Sequence, residues 1–203
     1  MFSQEFTDEL LLATEPSALK EFCQRKVLHG TPIVFKDRED DYYHFKKLIA
    51  DQFNIDHHEI YITGSAKLGF SPIKGKKFDL DSDIDIAIIS TALFENIMSM
   101  IYDYQSELRR NRRSVTEKEL QTYHSFLEYT AIGWIRPDKL PTSFQTGKLR
   151  EKWFDFFNSI SYGKSSAGNY KVSAGAFKSY KHLELYTIAG MKELQIAKST
   201  ERT

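Results

Sequence analysis

Cysteine is almost missing from this chain: Cys23 is the only one in 203 residues. A disulfide within the chain and a cysteine zinc cluster are therefore excluded, and a reducing compartment such as the cytoplasm fits. Net charge is missing too, since 28 Lys and Arg balance 28 Asp and Glu. Without an overall field, nucleic-acid binding needs a local basic patch, and an anionic membrane has no long-range hold on the chain. No stretch comes near the roughly 18 consecutive apolar residues of a membrane-spanning helix, and Met1-Phe2-Ser3-Gln4-Glu5 lacks the basic-then-apolar order of a secretory signal. A soluble, cytoplasmic protein is the expectation. Repeats and low-complexity tracts are also lacking. Aromatic side chains, by contrast, are abundant: 11 Tyr and 15 Phe suit a packed core and oppose extended disorder.

Apolar spacing divides the chain into elements. Phe6, Leu10 and Ala13, then Leu19, Phe22 and Cys23, recur at three- and four-residue intervals, which predicts two short helices over 5–28 with Pro16 in the first turn of the second. Tyr42, Phe45, Leu48, Ile49 and Phe53 predict an amphipathic helix over 40–53. Segment 59–63 is rich in β-branched and aromatic residues and stops at Gly64, predicting a strand that enters a tight turn. A loop over 69–81, a strand over 82–90 and a helix over 91–104 follow. Thr116 and Glu119 have capping-box spacing, so another helix starts there. A turn-rich connection over 135–141, a helix over 149–160, a small-residue loop over 163–169, a third strand over 170–177 and a final helix complete the chain. The fold class is α+β (mixed α/β), a small mixed sheet flanked by helices. We expect a single domain over 1–203, with its core at about 40–177, N-terminal helices in 1–30 and a C-terminal helix at 178–198.

Within the second strand, side chains two residues apart share a face, so Asp83 and Asp85 point the same way, roughly 7 Å apart along the backbone, while Ile84, Ile86 and Ile88 point into a core. Two carboxylates side by side repel each other and resist burial, and a divalent cation held by both relieves this. Gly64-Ser65 lies upstream as a tight turn after a strand; backbone N–H groups at a helix start form an anion site, and glycine allows close approach of a phosphate.

Tyr61-Ile62-Thr63-Gly64-Ser65 followed by Asp83-Ile84-Asp85-Ile86 resembles the signature of the nucleotidyltransferase superfamily, which includes DNA polymerase beta, tRNA-terminal and poly(A) polymerases, antiviral cyclic-oligonucleotide synthases and minimal bacterial nucleotidyltransferases. The resemblance covers about 59–90. It implies that Gly64 and Ser65 open a short helix over 66–69 whose N-terminal amides hold a nucleoside triphosphate such as ATP. Lys67 and Ser82 are further candidates, Lys67 either on phosphate or in water, Ser82 either on phosphate or simply starting the strand. Asp83 and Asp85 would be the catalytic residues, binding Mg2+ or Mn2+ as a pair of ions about 4 Å apart. The implied reaction moves a nucleoside monophosphate onto a hydroxyl of a protein, small molecule, nucleotide or nucleic acid. Members of this size commonly work beside a toxin, in mobile elements or in antiviral defence. Two departures stand out: the spacer before Asp83 is long, and the strand over 170–177 lacks the third carboxylate that active members carry on a neighbouring strand. Asp103, Asp138, Asp155 and Glu184 lie downstream but in no predicted strand. The alternative expectation is therefore a degenerate member that binds nucleotide or a protein partner without turnover.

The remaining chemistry-bearing residues have plainer readings beside them. Arg109, Arg110, Arg112 and Arg113 form a basic run that either contacts polynucleotide phosphates or caps a solvated helix end. Lys74, Lys76 and Lys77 lie in the loop before Asp83, either on phosphate or in water. Gly163-Lys164-Ser165 has the tail of a P-loop, but Asn158 stands where its first glycine belongs. His57 and His58 lack a third ligand at metal-site spacing and read as surface. Trp134 and Trp153 read as core, and Cys23, on an apolar helix face, as an inert thiol.

Overall fold

Ile84, Ile86 and Ile88 alternate with Asp83, Asp85 and Ala87, and this alternation builds the central strand, β2 (Asp83–Ile89). The computed structural model describes residues 2–110, 115–140 and 145–201. Its other strands are β1 (Ile60–Thr63), β3 (Trp134–Ile135) and β4 (Lys171–Phe177), arranged in the order β1-β2-β4-β3. β1 runs antiparallel to β2, β4 runs parallel to β2, and β3 closes the far edge antiparallel to β4.

One sheet face is apolar throughout. Ile60, Ile62, Ile84, Ile86, Ile88, Val172 and Ala176 join a core to which α3 (Glu39–Phe53) gives Phe45 and Ile49, α5 (Thr91–Arg109) gives Phe94, Ile97 and Ile101, α6 (Glu117–Ala131) gives Tyr123 and Phe126, and α7 (Gln145–Ser159) gives Trp153 and Phe157. Each fully buried side chain of this kind stabilises by about 1.5–3 kcal/mol. A slip of one residue along β2 would drive Asp83 and Asp85 into that core, so burial locks the register that sets the site. On the opposite face Tyr61, Ala87, Ile89 and Phe177 pack with Leu28 and with Leu183 of α8 (Tyr180–Thr200). Asp83 is only half-buried and Asp85 is exposed at the start of the same face.

A second cluster ties the ends of the chain together. Phe6, Leu10 and Ala13, from and just beyond α1 (Phe2–Leu12), and Leu19 and Phe22 of α2 (Pro16–Phe22) pack with Met191 and Leu194 of α8. The Gln195 side-chain amide donates to the carbonyls of Leu10 at 2.6 Å and Ala13 at 3.0 Å, tying α8 to the end of α1. A π-helical turn over Cys23–Leu28 continues α2. Cys23 is fully buried, and burial, with the Glu184 charge adding to it, pushes its thiol up to about 11. Inert packing, as expected, is its place.

The capping box forms as the spacing predicts: the Thr116 hydroxyl accepts from the Glu119 N–H at 3.3 Å and Glu119 accepts from the Thr116 N–H at 2.9 Å, opening α6 (Glu117–Ala131). Three expectations are corrected. Residues 57–59 form a 3-10 turn, capped by Asp56, so the first strand starts at Ile60. Trp134 and Ile135 form a fourth strand where a turn-rich connection was expected. Trp134 is only half-buried, and it lies over Gly175, where a Cβ would stand 2.4 Å from its indole nitrogen. No helix among the described residues is long and apolar enough to cross a membrane.

Candidate functional site

Antiparallel pairing sets Thr63, the last residue of β1, opposite Asp85. Whatever follows Thr63 must therefore turn beside the Asp85 carboxylate. Gly64 does so at φ +64, and a Cβ there would stand 3.2 Å from Asp85 Oδ2. Glycine serves twice at this point, for the left-handed backbone and for the close approach. It opens α4 (Gly64–Leu68), whose second residue is Ser65. The structure thus brings Gly64-Ser65 against Asp85, with Asp83 on the same face.

Parallel pairing adds two residues that sequence reasoning missed. Lys171 is in register with Asp83, and Ser173 with Asp85. The Lys171 ammonium meets Asp83 Oδ2 at 3.0 Å, and the Ser173 hydroxyl donates to Asp85 Oδ1 at 2.9 Å. Hydrogen bonding to Asp83 raises the Lys171 pKa against the opposing effect of desolvation. Asp85 is open to water on one side and crowded by Gly64, Ser173 and Asp83 on the others. Desolvation raises its pKa; the Ser173 hydrogen bond opposes this, the Asp83 charge adds to it, and Lys171 and Lys74 partly offset it. The visible signal was polar alternation in a strand: Lys171 and Ser173 are two apart, like Asp83 and Asp85.

Other predicted residues lie differently. Lys67 is buried, and its ammonium donates to the carbonyls of His29 and Gly30, with desolvation bringing its pKa down to about 8. Ser82 is used within its loop, donating to Asp79 Oδ1 at 3.0 Å and accepting from the Asp79 N–H at 3.1 Å. Lys76 pairs with Asp79 at 3.0 Å, so of the loop lysines it is Lys74, exposed, whose charge reaches Asp85. The loop itself is pinned to the sheet by Phe78, stacked on Tyr170 with ring centroids 4.8 Å apart. Arg109 ends α5 and Arg110 caps it, both exposed, where cations complement the helix dipole. Arg112 and Arg113 fall outside the described residues. Ser165 donates to the Ile160 carbonyl at 2.7 Å, a loop contact rather than a phosphate cradle.

None of the downstream acids joins the aspartates. Asp138 pairs with Arg136 at 2.8 Å, Glu184 is buried among Lys20, Lys181 and Gln24, and Asp103 and Asp155 are exposed on α5 and α7. Among the described residues one trio of carboxylates and imidazoles comes within metal-ligating reach, Asp56-His57-His58, so the histidine pair does have an acid beside it. That acid already accepts from the His58 N–H at 2.8 Å to cap the 3-10 turn.

The donor set fits one divalent cation. Lys171 and Ser173 each engage one oxygen of an aspartate, which leaves Asp83 Oδ1 and Asp85 Oδ2 as the other two, the latter beside Gly64. Two oxygen ligands, with the rest of the shell from water and a triphosphate, is an ordinary way to hold Mg2+. A second cation would need the third carboxylate, and β4 supplies a hydroxyl and an ammonium instead.

No known protein family, no curated protein and no solved structure matches this chain.

Proposed function

We propose that the cleft between Gly64-Ser65 and Asp83/Asp85 binds a nucleoside triphosphate with one divalent cation and transfers its nucleoside monophosphate to a hydroxyl acceptor. One observation carries this: the Gly64 turn is packed against the Asp85 carboxylate, a Cβ there standing 3.2 Å from Asp85 Oδ2, with Asp83 two residues away on the same strand face. Gly64 leaves the turn amides open to a phosphate, and Lys74 adds an exposed cation whose charge reaches Asp85. Asp83 and Asp85 hold the cation, which when bound favours ionisation of the attacking hydroxyl and neutralises the departing pyrophosphate. Asp85, being raised in pKa by desolvation, gains most from that charge. Incubation with labelled triphosphates, Mg2+ or Mn2+ and candidate acceptors tests the proposal. Asp83→Ala and Asp85→Ala should each cost at least about a hundredfold in transfer, since the electrostatic clamp is worth several kcal/mol and each ~1.4 kcal/mol is a factor of ten.

Lys171 and Ser173 favour a second version, a site that binds the triphosphate and signals through a partner without turning it over. Tight, Asp83-dependent binding of ATP with no transfer to any acceptor selects that version; no Asp83-dependent binding at all refutes both.

A further inference from the structure

Lys171 occupies a special position. It lies directly opposite Asp83 in the parallel β2–β4 pair, and its ammonium is already on Asp83 Oδ2 at 3.0 Å. The backbone just before it is held from two sides, since the Tyr162 N–H donates to the Tyr170 carbonyl at 2.8 Å and Phe78 stacks on the Tyr170 ring. The Lys171 side chain thus starts from a fixed strand end. Chemically it is one positive charge with N–H donors on a carboxylate oxygen that a metal ion would otherwise take.

Resting on the triphosphate proposal above, we propose that Lys171 is a built-in cation of this site: its ammonium stands on Asp83 in place of a second metal ion. The site therefore takes a single exchangeable divalent cation, shared by Asp83 Oδ1 and Asp85 Oδ2. Lys171 also tunes that ion, because a fixed positive charge beside Asp83 repels it and lowers its affinity until a triphosphate supplies the compensating negative charge. The cation then enters as part of the metal–triphosphate complex.

The test is Mn2+ binding to the full chain without nucleotide, read from the electron paramagnetic resonance of free Mn2+ at low ionic strength. Lys171→Met removes the charge and keeps the length; the pair is exposed and contributes little to stability, so the variant keeps its fold, which circular dichroism checks. The expected result is Mn2+ affinity tighter by roughly tenfold or more in Lys171→Met, because a like charge within a few ångströms is lost. Lys74→Met, whose charge acts on Asp85 from the loop, should change it by much less. Adding Asp83→Asn to Lys171→Met should return affinity to the wild-type level or below. Unchanged or weaker binding in Lys171→Met, or equal gains in Lys171→Met and Lys74→Met, overturns the built-in cation while Asp83-dependent Mn2+ binding leaves the triphosphate site standing. Absence of Mn2+ binding in every variant overturns the built-in cation alone; the triphosphate site falls only if Asp83-dependent binding of Mn2+ with ATP is absent as well.

Discussion

Gly64 and Gly75 share a backbone angle, φ +64, and differ in what surrounds them: a Cβ on Gly64 meets Asp85 Oδ2 at 3.2 Å, whereas one on Gly75 meets nothing within 4 Å. Replacing each in turn by alanine separates the backbone effect from the contact. Forcing a residue with a Cβ into the left-handed region costs about 1–2 kcal/mol in either position. At Gly64 the Asp85 carboxylate must also give by a few tenths of an ångström, which loosens the 2.9 Å hydrogen bond from Ser173, worth about 1 kcal/mol. A domain of this size loses ~2–4 °C of Tm per kcal/mol, so Gly64→Ala should melt about 2–4 °C below Gly75→Ala, and both below wild type. Ligand binding should separate them further. On the proposed function the added methyl would fill the space through which a phosphate reaches the turn amides, so calorimetric affinity for a non-hydrolysable ATP analogue with Mn2+ should fall at least about tenfold in Gly64→Ala and stay near wild type in Gly75→Ala. Equal melting losses in the two variants, with undiminished analogue binding in Gly64→Ala, would refute the idea that this glycine is shaped by Asp85 and a phosphate.

Two further expectations follow from packing and burial. In Gly175→Ala the new Cβ would stand 2.4 Å from the Trp134 indole nitrogen and 3.1 Å from the Ile135 carbonyl, so β3 has to lift from β4; a loss of about 1–3 kcal/mol should appear as a lower urea midpoint with altered tryptophan emission, and an unchanged midpoint would contradict the close packing. Cys23 titrates near 9.0 when unfolded and is raised to about 11 when folded, so the stability it contributes is complete below pH 9 and is lost as pH climbs through 11. Wild type should therefore lose up to about 3 kcal/mol relative to Cys23→Ala between pH 9 and 11, measured by urea denaturation at several pH values; a difference that stays constant over that range would argue against a buried neutral thiol.

The α+β class, the helices and three of the four strands were legible because their physical causes are local. Ile84, Ile86 and Ile88 carry the period of a strand, Thr116 and Glu119 carry a cap, and Pro16 marks a first turn, all within a few residues of where they act. β3 escaped because two residues are too few to show alternation; Trp134 and Ile135 pair only because β4 offers a free edge and Gly175 leaves room for an indole. Lys67 misled for a related reason. Its place next to Gly64-Ser65 suggested phosphate, but residues two apart on a helix do not share a face, so Lys67 points away from Ser65 and finds the His29 and Gly30 carbonyls.

The site followed the same division between local and distant causes. Asp83 and Asp85 share a face by strand geometry alone, so their pairing could be foreseen. What lies beside them depends on a parallel partner 88 residues later, and register across such a crossover is set by packing of the whole core rather than by any nearby signal. That register is what decides the chemistry. With both carboxyls ionised, Asp83, Asp85 and Lys171 leave one net negative charge at the floor of the cleft. A bare triphosphate would be repelled by it, whereas a triphosphate already carrying a divalent cation brings the counter-charge that the two remaining carboxylate oxygens require. An acid at position 171 would instead have left three negative charges and a demand for two cations. On the proposed function, an ammonium rather than a carboxylate at position 171 would give a site that accepts metal only in company with an anion.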